Sequence, residues 1–450
     1  GLLAYGGFAW LTRGLIEFFV RSDGVAFAAG STLLHSLYLA YSSAIFGILT
    51  LIHCLRRRAL FVLLLATLFN GLVWSLVTPP LHGPDENYHF SYAQLLAREQ
   101  TMKVRSDRWL TEELLLLLRV GQYGKRNFTD GKAATLDFTN PDAISQQVEV
   151  LKEPSELSGY LDNDGWLFRR LRALVQYHPP LYYVLIAGVH TLLSHQSILI
   201  RLLAGRWISV GFALVSVWAA YWIGARLWPR SRGRPLLLGL LVAFQPMHSF
   251  MTSVVNNSAL EIALFALFLL VVLQAVDCKV TLTVGVQLGF IVGLGLLTRI
   301  SFLISLPILG LLMLWHMGTH VSDRSWGRMI LLWVIVAGLS VLPSSWWYLD
   351  KIPGAGRVLV DTFRAGAPTH DIPLVTYLVR YGWLTIYRNV LRMYWGNFGW
   401  LDTPIPDSLG TILSLLTVIA SWSCGWWLVR NAMAWRDRES RATVFKFALL

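Results

Sequence analysis

The stretch "TPPLHGPDENYHF" (78–90) sets two adjacent carboxylates, Asp85 and Glu86, between His82 and His89, directly after about twenty uncharged apolar residues. A carboxylate at a membrane surface can act as a general base when burial and neighbouring charges bring its pKa near working pH. After Pro84 the two acids cannot face the same way. One is expected to point into a cleft, and its twin toward structure or a cation. On the residues alone, a Pro-Asp-Glu turn or helix cap is the plainer reading of the same pattern.

Elements must position these acids, and composition says which kind. The 450-residue chain is 55% hydrophobic and 14% charged, with mean hydropathy +0.53 and 20 Trp, 16 Tyr and 22 Phe. That excludes an ordinary soluble domain, which carries about 25% charge, and predicts an all-α polytopic membrane protein rich in rings that settle at headgroup level. A net charge of +12 suggests nucleic acid, but the basic residues are scattered over short loops between apolar runs. That distribution is the positive-inside signal of membrane topology. Cys54, Cys278 and Cys424 lie far apart with no CxxC spacing, which supports neither disulfides nor a zinc site. The chain starts without Met and stops in "VFKFALL", so both ends read as cuts within a longer protein.

Apolar runs long enough to span occur near 30–54, 59–79, 204–225, 236–253, 258–276, 281–298, 301–316, 329–348, 408–429 and from 443 onward, with the first twenty residues a further candidate. About ten to eleven spans are expected. The basic loops at 56–58, 226–234, 279, 324–328 and 430–441 fall on one side if the helices alternate, and that side is cytoplasmic. The run "HPPLYYVLIAGVHTLL" (178–193) is read as an interfacial helix, because a span there would export the loop "RLWPRSRGR". The resulting plan has N-terminal helices at 1–58, a first core span at 59–79 and an extracytoplasmic loop at 80–203. Central membrane helices follow at 204–348, a second external loop at 349–407, and C-terminal helices at 408–450. The first loop is acidic: its 80–178 portion holds 14 of the chain's 26 acids. "NYHFSYAQLLAREQ" is expected to form an amphipathic helix resting on the membrane, with Pro84 to Glu86 at its start.

The order "PDENYHF", "YHPPLYYVLIAGV", "FQPMHSFMTSVVNNSALE", "GLGLLTRISFLISLPIL" and "YWGNFGWLDTPIP" resembles the GT-C class of integral-membrane glycosyltransferases. It is closest to a bacterial family of predicted membrane proteins with PDE…H and WGxFGW motifs, and the resemblance covers roughly 59–430. It implies a GT-C-like bundle with two large external loops, in the cytoplasmic (inner) membrane with its active site facing outside. The implied activity is inverting transfer of a sugar from a polyprenyl-phosphate donor to a glycan, lipid or protein acceptor outside the cytoplasm. It also implies Asp85 as base, with Glu86 the other candidate, and a cleft drawing on His89, His178, Tyr182, Tyr183, Asn257, Arg299, Arg392 and Trp395. Arg299 stands where a Lys often follows "LLT" in that family, placed to meet the lipid phosphate; snorkelling to the interface is the plain alternative. Such proteins commonly carry an Asp after "VNN", where this chain has Ser258, so either no metal or a weakly held divalent ion is expected. Two rivals from other classes are a lipid-linked-glycan flippase or transporter, and a non-catalytic envelope-assembly scaffold. A transporter places paired ionisable groups at mid-membrane, whereas here the acids crowd into one external segment.

Overall fold

The computed structural model describes residues 58–100, 114, 178–277, 280–320, 326–365, 390–399, 401, 403–432 and 438–449. The N-terminal runs before residue 58 and most of the acids of the 80–178 segment lie outside the described residues. In chain order the helices are α1 (Ala59–Val77), α2 (Glu86–Glu99), α3 (Leu181–Leu192), α4 (Ile198–Leu227), α5 (Gly233–Ala243) and α6 (Pro246–Met251). Then come α7 (Ser258–Asp277), α8 (Leu282–Leu296), a 3-10 helix Ile300–Ile304 leading into α9 (Ser305–His320), α10 (Trp326–Ala365), α11 (Asp407–Ala432) and α12 (Arg438–Leu449). Strands are confined, among the described residues, to one antiparallel pair, β1 (Asn397–Phe398) and β2 (Thr403–Pro404). The protein is an all-α polytopic membrane protein.

Six described helical segments are long and apolar enough to cross a bilayer: Ala59–Val77, Ile198–Leu227, Ser258–Asp277, Ile300–Thr319, Trp326–Leu349 and Asp407–Asn431. They correspond to six of the apolar runs. In lipid only a helix satisfies its own backbone polar groups, so an uncharged run such as α1 has no other stable form. Three runs behave differently. The run at 236–253 is broken, because Pro246 offers no amide and turns Gln245 out of the helix, leaving α5 and α6 as short pieces. The run at 281–298 yields α8, only 15 residues, capped by the Thr281 hydroxyl on the Val284 amide and ended before Arg299 takes an extended backbone. From 443 onward the residues belong to α12, which begins at charged Arg438.

The chain forms two compact units. One comprises 1–70, 217–249 and 372–450; the other comprises 71–216 and 250–371. In the first, Leu63, Val217 and Ala243 are buried together, with Leu60, Tyr221 and Leu240 against them. Phe447 of α12 meets Trp427 of α11 at a ring separation of 4.9 Å.

In the second unit α8 packs on α10 through Gly285, Gly289 and Gly293. A Cβ added at Gly289 would sit 2.8 Å from the Val336 carbonyl oxygen, and one at Gly293 2.5 Å from that of Leu339. Small residues every fourth position let the two backbones touch, which is how apolar helices gain attraction in lipid. Helix α3 packs against α2 and, at about 18 Å, is too short to cross a hydrocarbon core of about 30 Å. Helix α2 differs from the expectation of a half-exposed surface helix. Every residue from Glu86 to Leu96 is buried, so it is enclosed by protein on all sides.

Candidate functional site

The turn between α1 and α2 is built on two left-handed residues that are not glycine, Leu81 (φ 60°) and Asp85 (φ 54°). Each such conformation costs about 1 kcal/mol or more and persists only where the surroundings enforce it. The enforcement comes from Arg206 of α4. Its Nε and Nη2 donate to the two oxygens of Glu86 at 2.7 and 2.6 Å, and Nη1 donates to the Ser75 and Thr78 carbonyls at 2.7 and 2.6 Å. Nη2 also donates to the Pro79 carbonyl at 2.7 Å. One guanidinium thus ends α1 and begins α2. Glu86, fully buried, accepts in addition from the amides of Val255 (2.9 Å) and Gly83 (3.2 Å). Asn256 completes the clamp: Nδ2 donates to the Pro84 carbonyl at 2.9 Å while Oδ1 accepts from the Ser258 amide, starting α7. Gly83 has no room for a side chain, since a Cβ there would lie 2.7 Å from Cβ of Val254.

This clamp divides the two acids. Four donors surround Glu86 in the interior, which leaves its oxygens no approach for a substrate proton. Asp85, one residue earlier, is exposed. It occupies the N-cap of α2, where an aspartate normally accepts an amide through its side chain; here the side chain makes no cap bond, and the backbone carbonyl takes the Tyr88 and His89 amides instead.

Tyr183, whose hydroxyl feels the Asp85 charge, belongs to a group of rings. His89 Nδ1 lies 2.6 Å from the Tyr183 hydroxyl, and the two rings stack at 5.7 Å with a 14° tilt. His178 comes within 5.4 Å of His89 and 6.1 Å of Tyr183, and Tyr92 within 4.4 Å of Tyr183. Tyr182 turns away to Ser209 at 2.8 Å. Burial pushes the His89 pKa well below its ordinary value, helped by His178 and then by the charge of Arg299. Burial and Arg299 likewise lower His178 to about 4. Tyr183 is driven up by burial, then by Tyr92 and Tyr182, with Asp85 adding and Arg299 opposing. The cluster is neutral at pH 7.

Arg299 is the cation of this group. Its Nη1 donates to Ser258 Oγ and, at 3.4 Å, to Glu261 Oε2, while Ser301 donates to the other oxygen of Glu261. The Arg299 side chain is 39% exposed. Beside it, Asn257 Nδ2 donates to the Thr298 carbonyl at 3.1 Å, and its buried Oδ1 has no hydrogen-bond partner.

Of the residues singled out in sequence, Asp85, His89, His178, Tyr183 and Arg299 thus act on one another within one unit, with Asn257 adjoining. Arg392 and Trp395 belong to the other unit, where Arg392 pairs with Asp407 and Trp395 Nε1 donates to Thr417 at 2.8 Å. These bonds fasten the β1–β2 hairpin of "WGNFGW" to α11. Sequence reasoning passed over Arg206 and gave Glu261 no partner. A lone Arg inside the apolar run 204–225 was the available signal, since an unpaired charge there costs about 2.5–3.5 kcal/mol on insertion scales. Among the described residues no group of three or more His, Cys, Asp or Glu is gathered as a metal ligand set.

No curated protein and no solved structure matches the chain. A family model described as "Predicted membrane protein (DUF2142)" matches residues 68–448, which takes in the turn, the ring cluster and the hairpin alike. With most of its length matched, the chain belongs to this family of predicted membrane proteins.

Proposed function

We propose that the protein is a membrane glycosyltransferase of the GT-C type, moving a sugar from a polyprenyl-phosphate donor to an acceptor outside the cytoplasm. The observation that carries this reading is the division of the acid pair. Glu86 is fixed inside by Arg206, and Asp85 is held exposed, in a strained conformation, with its carboxylate kept out of the helix cap. Strained residues held by an over-determined frame are characteristic of reactive sites. In this reading Asp85 removes the proton of the acceptor hydroxyl as that oxygen attacks the anomeric carbon. The carbon–oxygen bond to the phosphate breaks on the opposite face, which inverts the centre. The departing lipid phosphate takes the negative charge. Arg299 suits that anion, and the buried rings beside it strengthen the contact. The resemblance of the motif order supports the donor class. The arginine-rich loops on the opposite side support an active site at the outer face of the inner membrane.

The test is sugar transfer from a polyprenyl-phosphate sugar by the purified full chain. Asp85→Asn keeps size but cannot accept a proton, and general-base catalysis is worth about 10²- to 10⁴-fold. A loss in that range with an unchanged melting temperature is expected; full activity in a folded Asp85→Asn protein refutes the assignment. A transporter reading draws on the buried Arg206–Glu86 pair, but the bonds to three carbonyls and two amides tie that pair to the chain as a fixed tether.

A further inference from the structure

Arg299 is held from one side only. Both of its hydrogen bonds leave from Nη1, to Ser258 and Glu261, and Nε and Nη2 make none. The pairing between Arg299 and Glu261 is loose, 3.4 Å at the closest oxygen, with the arginine side chain 39% and the glutamate 18% exposed. Glu261 in turn is steadied by Ser301, which donates to its second oxygen, and its position in the first turn of α7 is set by the Asn256 cap. A guanidinium fixed at one nitrogen, with its Nε–Nη2 edge open, is arranged for two parallel bonds to an oxyanion. On the other side, at Nη1, sits the Glu261 carboxylate. It orients Arg299, and its charge opposes any anion that Arg299 receives.

We infer that Glu261 is the built-in counter-ion of Arg299, a positioning and affinity-setting residue that limits how tightly the site holds an anionic phosphate. This rests on the reading of Arg299 as the phosphate contact. A transferase must let go of the lipid phosphate it generates, and an arginine with no counter-ion in a part-buried site would retain it. The carboxylate takes up the guanidinium again as the phosphate leaves, so Arg299 is not left unpaired between turnovers.

The two neighbours of the pair act in opposite directions, which gives the idea a signed test. Binding of farnesyl phosphate to the purified full-length chain in detergent is measured by titration calorimetry for four proteins. Glu261→Gln keeps the shape and a hydrogen-bonding oxygen but removes the charge, and is expected to tighten binding about three- to tenfold, the scale of a part-exposed ion pair. Ser301→Ala removes the donor that shares Glu261, strengthens the hold of Glu261 on Arg299, and is expected to weaken binding about twofold. Arg299→Gln is expected to weaken it more than tenfold. The advantage of Glu261→Gln must shrink as salt rises from about 0.05 to 0.5 M, because it is electrostatic. A damaged fold does not tighten binding, so the direction separates this role from a structural one. Unchanged or weaker binding in Glu261→Gln, or Ser301→Ala moving the same way as Glu261→Gln, overturns the inference while a loss in Arg299→Gln leaves the phosphate site standing. Unchanged binding in Arg299→Gln overturns both.

Discussion

Replacing Arg206 by Met is the perturbation that the frame of the site should resist least. Methionine fills much of the volume without a donor, so five hydrogen bonds are lost at once: two from Glu86 and three from the carbonyls of Ser75, Thr78 and Pro79. Glu86 keeps only the amides of Gly83 and Val255 and has no solvent. Removing one partner of a buried ion pair costs about 3–5 kcal/mol, because the other charge stays behind. Glu86→Gln is milder. The carbonyls still satisfy Arg206, and the loss of a charge-assisted bond is worth about 1.5–3 kcal/mol. In the double variant the stranded carboxylate is gone, so the two effects must fall short of their sum by more than about 1 kcal/mol. The measurement is reversible unfolding in mixed micelles of all four members of the cycle. A loss below about 1 kcal/mol in Arg206→Met, or strict additivity, would refute the view that this pair frames the turn.

Two other outcomes follow from the geometry. His178 has its pKa lowered to about 4 in the folded chain, against about 6.5 unfolded, so the unfolded state binds the extra proton between those values. Stability is full above about pH 6.5 and falls as the pH drops toward 4; melts at pH 7.5 and 5.0 should show this, and His178→Gln should reduce the difference. Gly293→Ala places a Cβ 2.5 Å from the Leu339 carbonyl oxygen, so α8 and α10 must separate, lowering stability by about 1–3 kcal/mol in the same assay, whereas Gly310→Ala, with open space around it, should be neutral.

Period and composition made the spans legible, because lipid permits one solution to an uncharged run of twenty residues. They also placed Asp85 and Glu86 at a helix start, and placed "HPPLYY" on a helix too short to cross. The assignment of interior and exterior to each acid was not legible, since it depends on Arg206, 120 positions away. A long-range pair of this kind leaves no local pattern. The same holds for Glu261 and Arg299, joined across 38 positions. The amphipathic period of α2 misled for a physical reason: its polar face meets other protein groups, such as Arg206 with Glu86 and Tyr183 with His89, in place of water. By hydropathy the run 236–253 counts as one span, and the break at Gln245–Pro246 departs from that expectation although Pro246 carries its signal.

The placement of Arg206 also bears on how the chain is assembled in the membrane. Helix α4 carries this arginine about 12 Å from its first residue, at the start of the apolar run 204–225, and entry of such a charge into lipid is opposed by up to about 2.5–3.5 kcal/mol. Every group that satisfies it, from Ser75 to Glu86, is synthesised more than a hundred residues earlier. When α4 reaches the bilayer, its partners are already made. The end of α1 and the turn after it therefore serve as a landing place for a helix that would enter lipid poorly alone, and shortening or reversing that order would strand the arginine before the carboxylate exists.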